Sequence, residues 1–501
     1  MRSRVPALVL LATVLLVPTV ARASHGETML DAAVIQSRID AASPGAVVVV
    51  PSGEYHGNLV VDRAITLRGE GRPLIHGDGT GSVILVSGDG AVVEGFGVAN
   101  SAVGPVGGPA GIRIEADGVV VQDNIVEDTY MGIALFGSKS AEIVDNVVLG
   151  REGAAIQDEG HATDPNAGDG VSSSRADTAG TDQTRASSGH VYGGDGISLW
   201  NCTGVLVRGN LVDGARDGVY MSFGTDILID TNHVRGSRYA IHSMFAKNLT
   251  AAENLFEHNL SGVVLMYGGP VLLLRNEVRD NTSASTGFGM LLKDVFGVDA
   301  VENAFVGNRI GIQIDGPAGD MEHRIVVHGN TIAMNQFGVA LYPSAHAFFY
   351  RNSFVENTVQ VVALGNGVAG KNTWTYEGAG NYWSNYRGYD LGGEGLGDTP
   401  HHEGGTVERL MARAPVLQAL ASGPAFSLLR AVEDRWIEHR PVVTDTLPLM
   451  RPESPALDDG ATGSGASVAL GAAGLLVSAL AIAILVAFRR PLRRGRVSHA
   501  V

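Results

Sequence analysis

Three side chains in the middle of the chain have the types and spacing of a soft-metal site. His242 and Met244 stand two positions apart, so in an extended strand they point to the same face. Met266 follows Met244 by 22 residues, which is also the period of the repeat in this region. Imidazole and thioether groups suit soft Cu(I), whereas hard cations prefer oxygen ligands. His242, Met244 and Met266 therefore predict a Cu(I) site on the outer, water-accessible face of two adjacent repeats.

The same face has a second interpretation. Methionine and aromatic side chains also form adaptable surfaces for protein partners. In that case the outward residues would make a partner-binding stripe, to which three aromatic residues contribute: Trp200, Tyr220 and Tyr342. Weaker metal candidates lie elsewhere, namely Met321 with His323, and the neighbouring pair His401 and His402.

A repeat must position these residues. Asparagines recur every 22 residues at 210, 232, 254 and 276 and continue at 303, 330 and 352, and a further pair stands at 124 and 146. The rest of each repeat is rich in glycine and alternates apolar with other residues, which indicates short strands and turns. A leucine-rich repeat would need a helical segment in each unit. We therefore predict an all-β fold, a single-stranded right-handed parallel β-helix of about a dozen 22-residue coils.

Within such a coil the asparagines fall at one corner. We expect them to adopt left-handed backbone there and to form a structural ladder rather than a site. An N-terminal helix over Met29 to Ala42 would cap the first coil, and residues 406–437 have an amphipathic helical pattern. Trp374 and the aromatic residues of 380–390 are expected to close the other end.

The two ends indicate export and anchoring. Residues 1–23 have the pattern of a signal peptide, and 467–488 form an uncharged apolar segment long enough to cross a bilayer. The basic tail 489–501 would then remain in the cytoplasm. Between them we assign the β-helix to 24–400 with an inserted loop at 151–192, a helical or extended tail to 401–455, and a linker to 456–466.

Composition limits the function classes. The 501 residues include 67 glycines and one cysteine, Cys202, and carry a formal charge of −16. This charge argues against nucleic-acid partners and polyanionic substrates, and an internal disulfide is impossible. Asp390, Glu394 and Asp398 are spaced like a degraded calcium loop, but glycine replaces the usual middle ligand, so calcium is not expected.

Several segments together resemble the NosD family of nitrous-oxide reductase maturation proteins. The opening segment Ala46–Tyr55 and the closing motif Asn381–Tyr386 are similar to that family, as are two coil segments, Gly194–Asn201 and Arg216–Met221. The most specific similarity is the tail from Leu410 to Pro452. The 151–192 loop and the C-terminal anchor depart from the family pattern.

The resemblance implies an accessory protein, not an enzyme, that helps to build the copper-sulfur centre of nitrous oxide reductase. The implied partners are the membrane and ATPase subunits of an ABC transporter, a copper chaperone lipoprotein and the reductase itself, with transient copper outside the inner membrane. Two alternatives use the same fold: a polysaccharide lyase or epimerase, and a carbohydrate-binding or structural surface protein. A lyase would need clustered carboxylates and a base, for which Arg216–Asp217 and Lys293–Asp294 are the available pairs.

Overall fold

Strands pair side by side along a solenoid. The computed structural model describes residues 29–151, 193–316, 324–365, 371–404, 423, 428 and 441–453. Three sheets run along its length, with 14, 12 and 12 strands, and every pairing within them is parallel. Successive strands in one sheet are one coil apart in sequence, so each coil contributes a short strand to each sheet. The predicted parallel β-helix is therefore the observed architecture.

Each sheet is named here by its strands. Sheet A contains Leu30–Asp31, Glu54–His56, Leu74–His76, Gly97–Ala99, Ile125–Glu127, Val147–Leu149, Leu211–Asp213, His233–Arg235, Leu255–Glu257, Glu277–Arg279, Ala304–Val306, Thr331–Ala333, Ser353–Val355 and Tyr382–Trp383. Sheet B contains Val47–Val50, Thr66–Gly69, Val92–Glu94, Val120–Gln122, Glu142–Val144, Leu206–Arg208, Thr225–Asp230, Lys247–Ala252, Val271–Leu274, Val298–Val301, Ile325–His328 and Ala347–Tyr350. Sheet C contains Leu59–Val61, Ile84–Val86, Ala110–Ile114, Met131–Phe136, Ile197–Trp200, Asp217–Ser222, Tyr239–Met244, Ser261–Met266, Phe288–Lys293, Ile310–Asp315, Phe337–Leu341 and Val359–Ala363.

The coils on either side of residues 152–192 are direct neighbours. Ile133 pairs with Ile197 in sheet C, and Val147 pairs with Leu211 in sheet A. Sixty-four residues therefore separate strands that elsewhere lie 22 apart. The stack continues across this point without a gap.

The core lies between the three sheets and is filled by rows of inward-pointing side chains, to which each coil contributes. Val, Ile and Leu dominate, and most of them are fully buried. Ile197, Val219, Ile241 and Val263 form one such row, in which each residue pairs with the next. These are β-branched side chains, which suit a pleated and buried surface.

The asparagine ladder is confirmed, but its backbone geometry differs from the prediction. Each backbone N–H and amide group donates to the side-chain oxygen of the next asparagine, as from Asn210 to Asn232 at 2.9 and 3.0 Å. The left-handed residue is the one before the asparagine, such as Thr231 (φ 53°) or Glu253 (φ 54°). Because the preceding residue turns the chain, the asparagine itself points into the core, where its amide is fully hydrogen-bonded.

A second ladder accompanies the first, which the sequence reading missed. It begins at Ser237 and continues through Asn259, Asn281, Asn308, Asn335 and Asn357. These residues follow the first ladder at a fixed offset of five positions, as Asn259 follows Asn254. This regular five-residue offset is the sequence signal from which the second ladder could have been predicted.

Both ends of the stack are closed. The predicted capping helix is shorter than Met29 to Ala42: helix α1, Ala33–Ala41, buries Ile35 and Ile39 against the first coils, whereas Met29, Leu30 and Val34 are exposed. At the other end Trp374 stacks on Phe349 and Trp383 on Phe354 at centroid distances of 4.5 and 4.2 Å. The antiparallel pair His401–Glu403 and Val443–Asp445 completes this end.

No helix in the described ranges has the length and apolar character to cross a membrane. Segments 1–23 and 467–488 lie outside those ranges, as does nearly all of 406–437. The signal peptide, the anchor and the C-terminal helix remain predictions.

Candidate functional site

The outer face of sheet C aligns the predicted residues in two rows. Ser198, Tyr220, His242 and Val264 are successive partners in one row. Trp200, Ser222, Met244, Met266 and Lys293 are successive partners in the other. Met244 and Met266 are therefore in register, as the 22-residue period predicts, and His242 lies on the same face.

The start of the strand before that of His242 places a buried carboxylate beside the histidine. Asp217 begins the strand Asp217–Ser222 and is followed by Gly218, where an added Cβ would lie 2.2 Å from Cγ1 of Val234. Glycine thus lets the chain pass close to the core just after Asp217. The carboxylate is left fully buried at the start of the strand, beside the next coil.

Asp217 links His242 to a buried ion pair. Its Oδ2 atom lies 2.8 Å from Nδ1 of His242, and Arg238 donates to both carboxylate oxygens at 2.8 Å. Burial raises the pKa of Asp217, but His242 and Arg238 lower it by more, so the net pKa is well below the ordinary value. An ionised Asp217 accepts a hydrogen bond from Nδ1–H of His242, which leaves Nε2 as the nitrogen available to a ligand.

Aromatic rings surround His242. Tyr220 and Tyr239 meet the imidazole edge-on at centroid distances of 5.2 and 5.1 Å, and Trp200 packs on Tyr220 at 5.2 Å. The Oη atom of Tyr220 lies 4.0 Å from Sδ of Met244. His242 keeps only 12% of its side-chain surface exposed. The imidazole, the thioether of Met244 and the Tyr220 hydroxyl thus share a half-buried site.

A parallel network supports the preceding coil. Asp195 accepts from Arg216 at 2.8 Å and from Ser198 at 3.1 Å, and Ser198 in turn accepts from Nε1 of Trp200 at 3.0 Å. This part of the face is more polar than the predicted apolar stripe. Asp195 and Arg238 are the residues that sequence reasoning missed, since each lies outside the outward positions of its strand.

Two expectations about exposure were wrong. Met266 is only 6% exposed and belongs to the same apolar cluster as Val264 and Leu291, so it is not on a water-accessible surface. Tyr220 is also buried, and Tyr342 packs against the same cluster as Met266. In the row that continues from His242, five successive partners are all buried: Val264, Leu291, Gln313, Ala340 and Val362.

The structure does not bring the other predicted site residues together into a site within the residues that it describes. Met321 and His323 lie outside the described residues. His401 packs on Trp383 and pairs with Glu403, whereas His402 alternates to the opposite side and meets Thr444. Lys293, which the lyase alternative pairs with Asp294, lies opposite Asp315 on the next coil, and Asp315 is an acid rather than a second base.

The calcium-like loop uses its carboxylates internally. Asp390 accepts the backbone N–H groups of Gly393, Glu394 and Gly395, and these bonds lower its pKa. Asp398 accepts from Leu391. Backbone donors occupy the oxygens that a calcium ion would require.

Cys202 is not available for metal chemistry. Its thiol is buried and lies 3.3 Å from the carbonyl oxygen of Trp200. Burial raises the pKa of Cys202 to about 11. Across the described residues, no group of three or more His, Cys, Asp or Glu side chains could hold a metal.

The fold and this face define a parallel β-helix with a histidine, methionine and tyrosine site on one outer sheet. Residues 177–388 match the family model "Periplasmic copper-binding protein (NosD)". A "Probable ABC transporter binding protein NosD" of Pseudomonas aeruginosa is 28% identical over 427 residues, covering 80% of this chain and 87% of that protein. A protein of the same name from Stutzerimonas stutzeri is 24% identical over 440 residues, covering 80% and 86%. The resemblance to NosD proteins is thereby confirmed, both by the family model over residues 177–388 and by two relatives that match along 80% of this chain.

Solved structures give only distant likenesses. The A-module of an Azotobacter vinelandii mannuronan C-5 epimerase is 14% identical with a TM-score of 0.43, covering 70% of this chain and 96% of that one. A periplasmic alginate epimerase is also 14% identical, with a TM-score of 0.38 and coverage of 68% and 71%. Both scores are below 0.5, so neither bears on activity.

Proposed function

We propose that this protein binds Cu(I) outside the cytoplasm and passes it on during assembly of the copper-sulfur centre of nitrous oxide reductase. The observation that carries the proposal is the alignment of His242, held by Asp217, with Met244 on one half-buried face. An imidazole and a thioether give Cu(I) a low-coordinate, soft environment. Such a set holds the ion without enclosing it, which suits transfer.

Met266 contributes from the next coil. Its backbone is in register with that of Met244 at the coil spacing of about 4.8 Å, which is short enough for one ion to contact both sulfurs. Because Met266 is buried, it would face the protein side of the ion, while His242 and Met244 face the exit. Copper here is cargo, so the site needs a path in and out rather than a closed shell.

The partners follow from the family. We propose that the ABC transporter subunits, a copper chaperone lipoprotein and nitrous oxide reductase meet this chain at the outer face of the inner membrane. Segment 1–23 would direct export and 467–488 would anchor the mature protein. The absence of enzymatic activity is part of the same proposal.

The test is copper binding by a matched set of variants. Substituting Met244 and Met266 by leucine conserves volume and hydrophobicity, so folding should change little. Cu(I) affinity, measured by anaerobic competition with a chromophoric chelator, should fall at least tenfold, and the copper content of the reductase in cells should fall with it. Met221→Leu is the control, because Met221 lies on an adjacent coil but points into the core. Unchanged Cu(I) stoichiometry and affinity in the double variant would falsify the site.

A further inference from the structure

Three exposed aromatic residues stack at one corner of three successive coils. They are Phe223, Phe245 and Tyr267, here called the aromatic ladder, and they keep 53%, 40% and 36% of their surface exposed. The ring centroids are 5.0 Å apart from Phe223 to Phe245 and 5.3 Å from Phe245 to Tyr267, with interplanar angles of 9° and 20°. The ladder is a continuous apolar patch on an otherwise acidic protein.

The backbone at each rung is in the left-handed region. Phe223, Phe245 and Tyr267 have φ of 56°, 56° and 57°. Bulky side chains rarely adopt this conformation, because Cβ crowds the backbone. Neighbouring coils place tolerant residue types at the same corner, which are Gly137, Asn201, Asp294 and Gly316. Among the described residues at this corner, the three middle coils alone carry aromatic side chains on left-handed backbone, which points to a use for the rings themselves.

Ring orientation limits what the ladder can bind. The rings stack along the solenoid axis, so their faces cover one another and their edges point outward. A sugar that stacks on an aromatic face would find only the outer faces of the end rungs. Ring edges carry the positive part of the aromatic quadrupole and favour the sulfur of methionine. The ladder therefore fits a protein surface with methionine side chains better than a glycan.

The ladder adjoins the copper site residue by residue. Phe223 follows Ser222, Phe245 follows Met244 and Tyr267 follows Met266, on the same three coils. A protein that approaches Met244 from this corner must cover the rings.

Charges flank the patch. Asp226 is exposed near the Phe223 rung, and Asp294 is exposed at the next corner after Tyr267. Lys247 lies beside the middle rung. Along the solenoid axis the coils that carry Asp226 and Asp294 are three coil rises apart, roughly 14 Å. The two carboxylates would complement basic side chains on either side of an apolar centre in the partner.

We propose that the aromatic ladder is the docking surface for the protein that supplies Cu(I), and that this partner presents a methionine-bearing apolar face flanked by basic residues. This proposal rests on the proposed function, because the ladder's role is defined by the neighbouring His242 and Met244. The rings seat the donor so that its copper lies next to Met244. Thioether ligands can then be exchanged between the two proteins without releasing the ion to water.

The experiment replaces the rungs by the residue that the corner already uses. F223N/F245N/Y267N removes the rings and relieves the left-handed strain, as Asn201 does one coil earlier. The full-length chain in detergent is tested against the soluble part of the copper chaperone lipoprotein, both copper-free and loaded with Cu(I). We expect at least tenfold weaker binding of the copper-free chaperone and slower copper transfer. The thermal midpoint should not fall, and affinity for directly added Cu(I) should be unchanged.

A matched control is Met334→Asn. Met334 is also exposed and left-handed, with φ of 54°, but lies at a different corner. It should leave chaperone binding unchanged. The proposal is overturned if the triple variant binds the copper-free chaperone like the unmodified chain, or if Met334→Asn weakens binding equally. Loss of affinity for directly added Cu(I) in the triple variant would also overturn it, because the rings would then support the site and not the partner.

The two proposals fail separately. Docking is measured with copper-free chaperone, so M244L/M266L should dock normally even though it binds Cu(I) poorly. If that double variant binds Cu(I) normally, the proposed site is wrong whatever the ladder does. If M244L/M266L binds Cu(I) poorly but F223N/F245N/Y267N binds the chaperone as the unmodified chain does, only the proposed docking surface is wrong.

Discussion

The Oδ2 atom of Asp217 lies 2.8 Å from Nδ1 of His242, one coil further along the stack. Asp217 is the first residue of its strand, and its side chain has no solvent-exposed surface. This contact ties the tautomer of a half-buried histidine to a salt bridge with Arg238. A carboxylate behind a ligating histidine fixes the ring and increases its basicity.

Replacing Asp217 by asparagine should damage both copper binding and stability. We expect about a 10- to 100-fold loss of Cu(I) affinity, because Nε2 of His242 is no longer held as the free nitrogen. Removing one partner of a buried pair costs about 3–5 kcal/mol, since Arg238 keeps an uncompensated charge. Denaturant unfolding and chelator competition measure the two effects. Asp213→Asn is the control, because its pair with Arg235 is more exposed and should contribute less than about 1 kcal/mol. Equal effects of the two variants would contradict the assignment.

Protonation of Asp217 should lower the free energy of unfolding at acidic pH. The pKa of Asp217 in the folded protein lies below its unfolded value of about 3.9. Its contribution is therefore fully present above that pH and is lost as the pH falls towards the folded pKa. Unfolding free energy should drop more steeply below about pH 4 in the unmodified protein than in Asp217→Asn. Parallel curves for the two proteins would show that Asp217 is not the group responsible.

The asparagine ladder should be sensitive in its middle. Asn254 accepts from the backbone N–H and the amide of Asn232 at 2.8 and 3.0 Å and donates to Ile229 at 2.9 Å. Asn254→Ala leaves these buried groups without partners, at about 1–3 kcal/mol for each. Denaturant midpoints measure the loss. Asn58→Ala should be much milder, because Asn58 bonds exposed groups of Asp78 and Thr80. A midpoint for Asn254→Ala no lower than that of Asn58→Ala would contradict the structural role of the ladder.

The apolar segment 467–488 predicts an integral membrane protein. Its length and the basic residues after it are those of a single span with the tail in the cytoplasm. The mature protein should stay with membranes during alkaline carbonate washing, and a chain ending at residue 455 should be released. Release of the complete mature protein by the wash would rule out the anchor.

The period of the sequence was enough to predict the architecture and the register of the site. Because side chains alternate along a strand and coils repeat every 22 residues, the alignment of Met244 with Met266 follows from counting. Burial on the outer face could not be predicted in this way. It depends on how Met266 packs in the cluster that contains Val264 and Leu291, and the repeat period alone does not predict packing.

Other features depend on contacts between coils. Arg238 precedes its strand and reaches back to Asp217 on the previous coil, 21 residues earlier. The left-handed corners escaped prediction because phenylalanine and tyrosine occupy positions where glycine or asparagine would be the usual signal.

The asparagine ladder has a direction, and its last link is not an amide. The links between successive asparagines all run towards the C-terminal end, and Asn381 donates its backbone N–H to Oδ2 of Asp445 at 2.7 Å. Trp383 and Thr375 donate to the same carboxylate. Asp445 is used here only as an acceptor, so the row of amide-to-amide links ends at this side chain. A single acidic side chain thereby closes one route to end-to-end polymerisation, the hazard that open parallel edges carry in any solenoid.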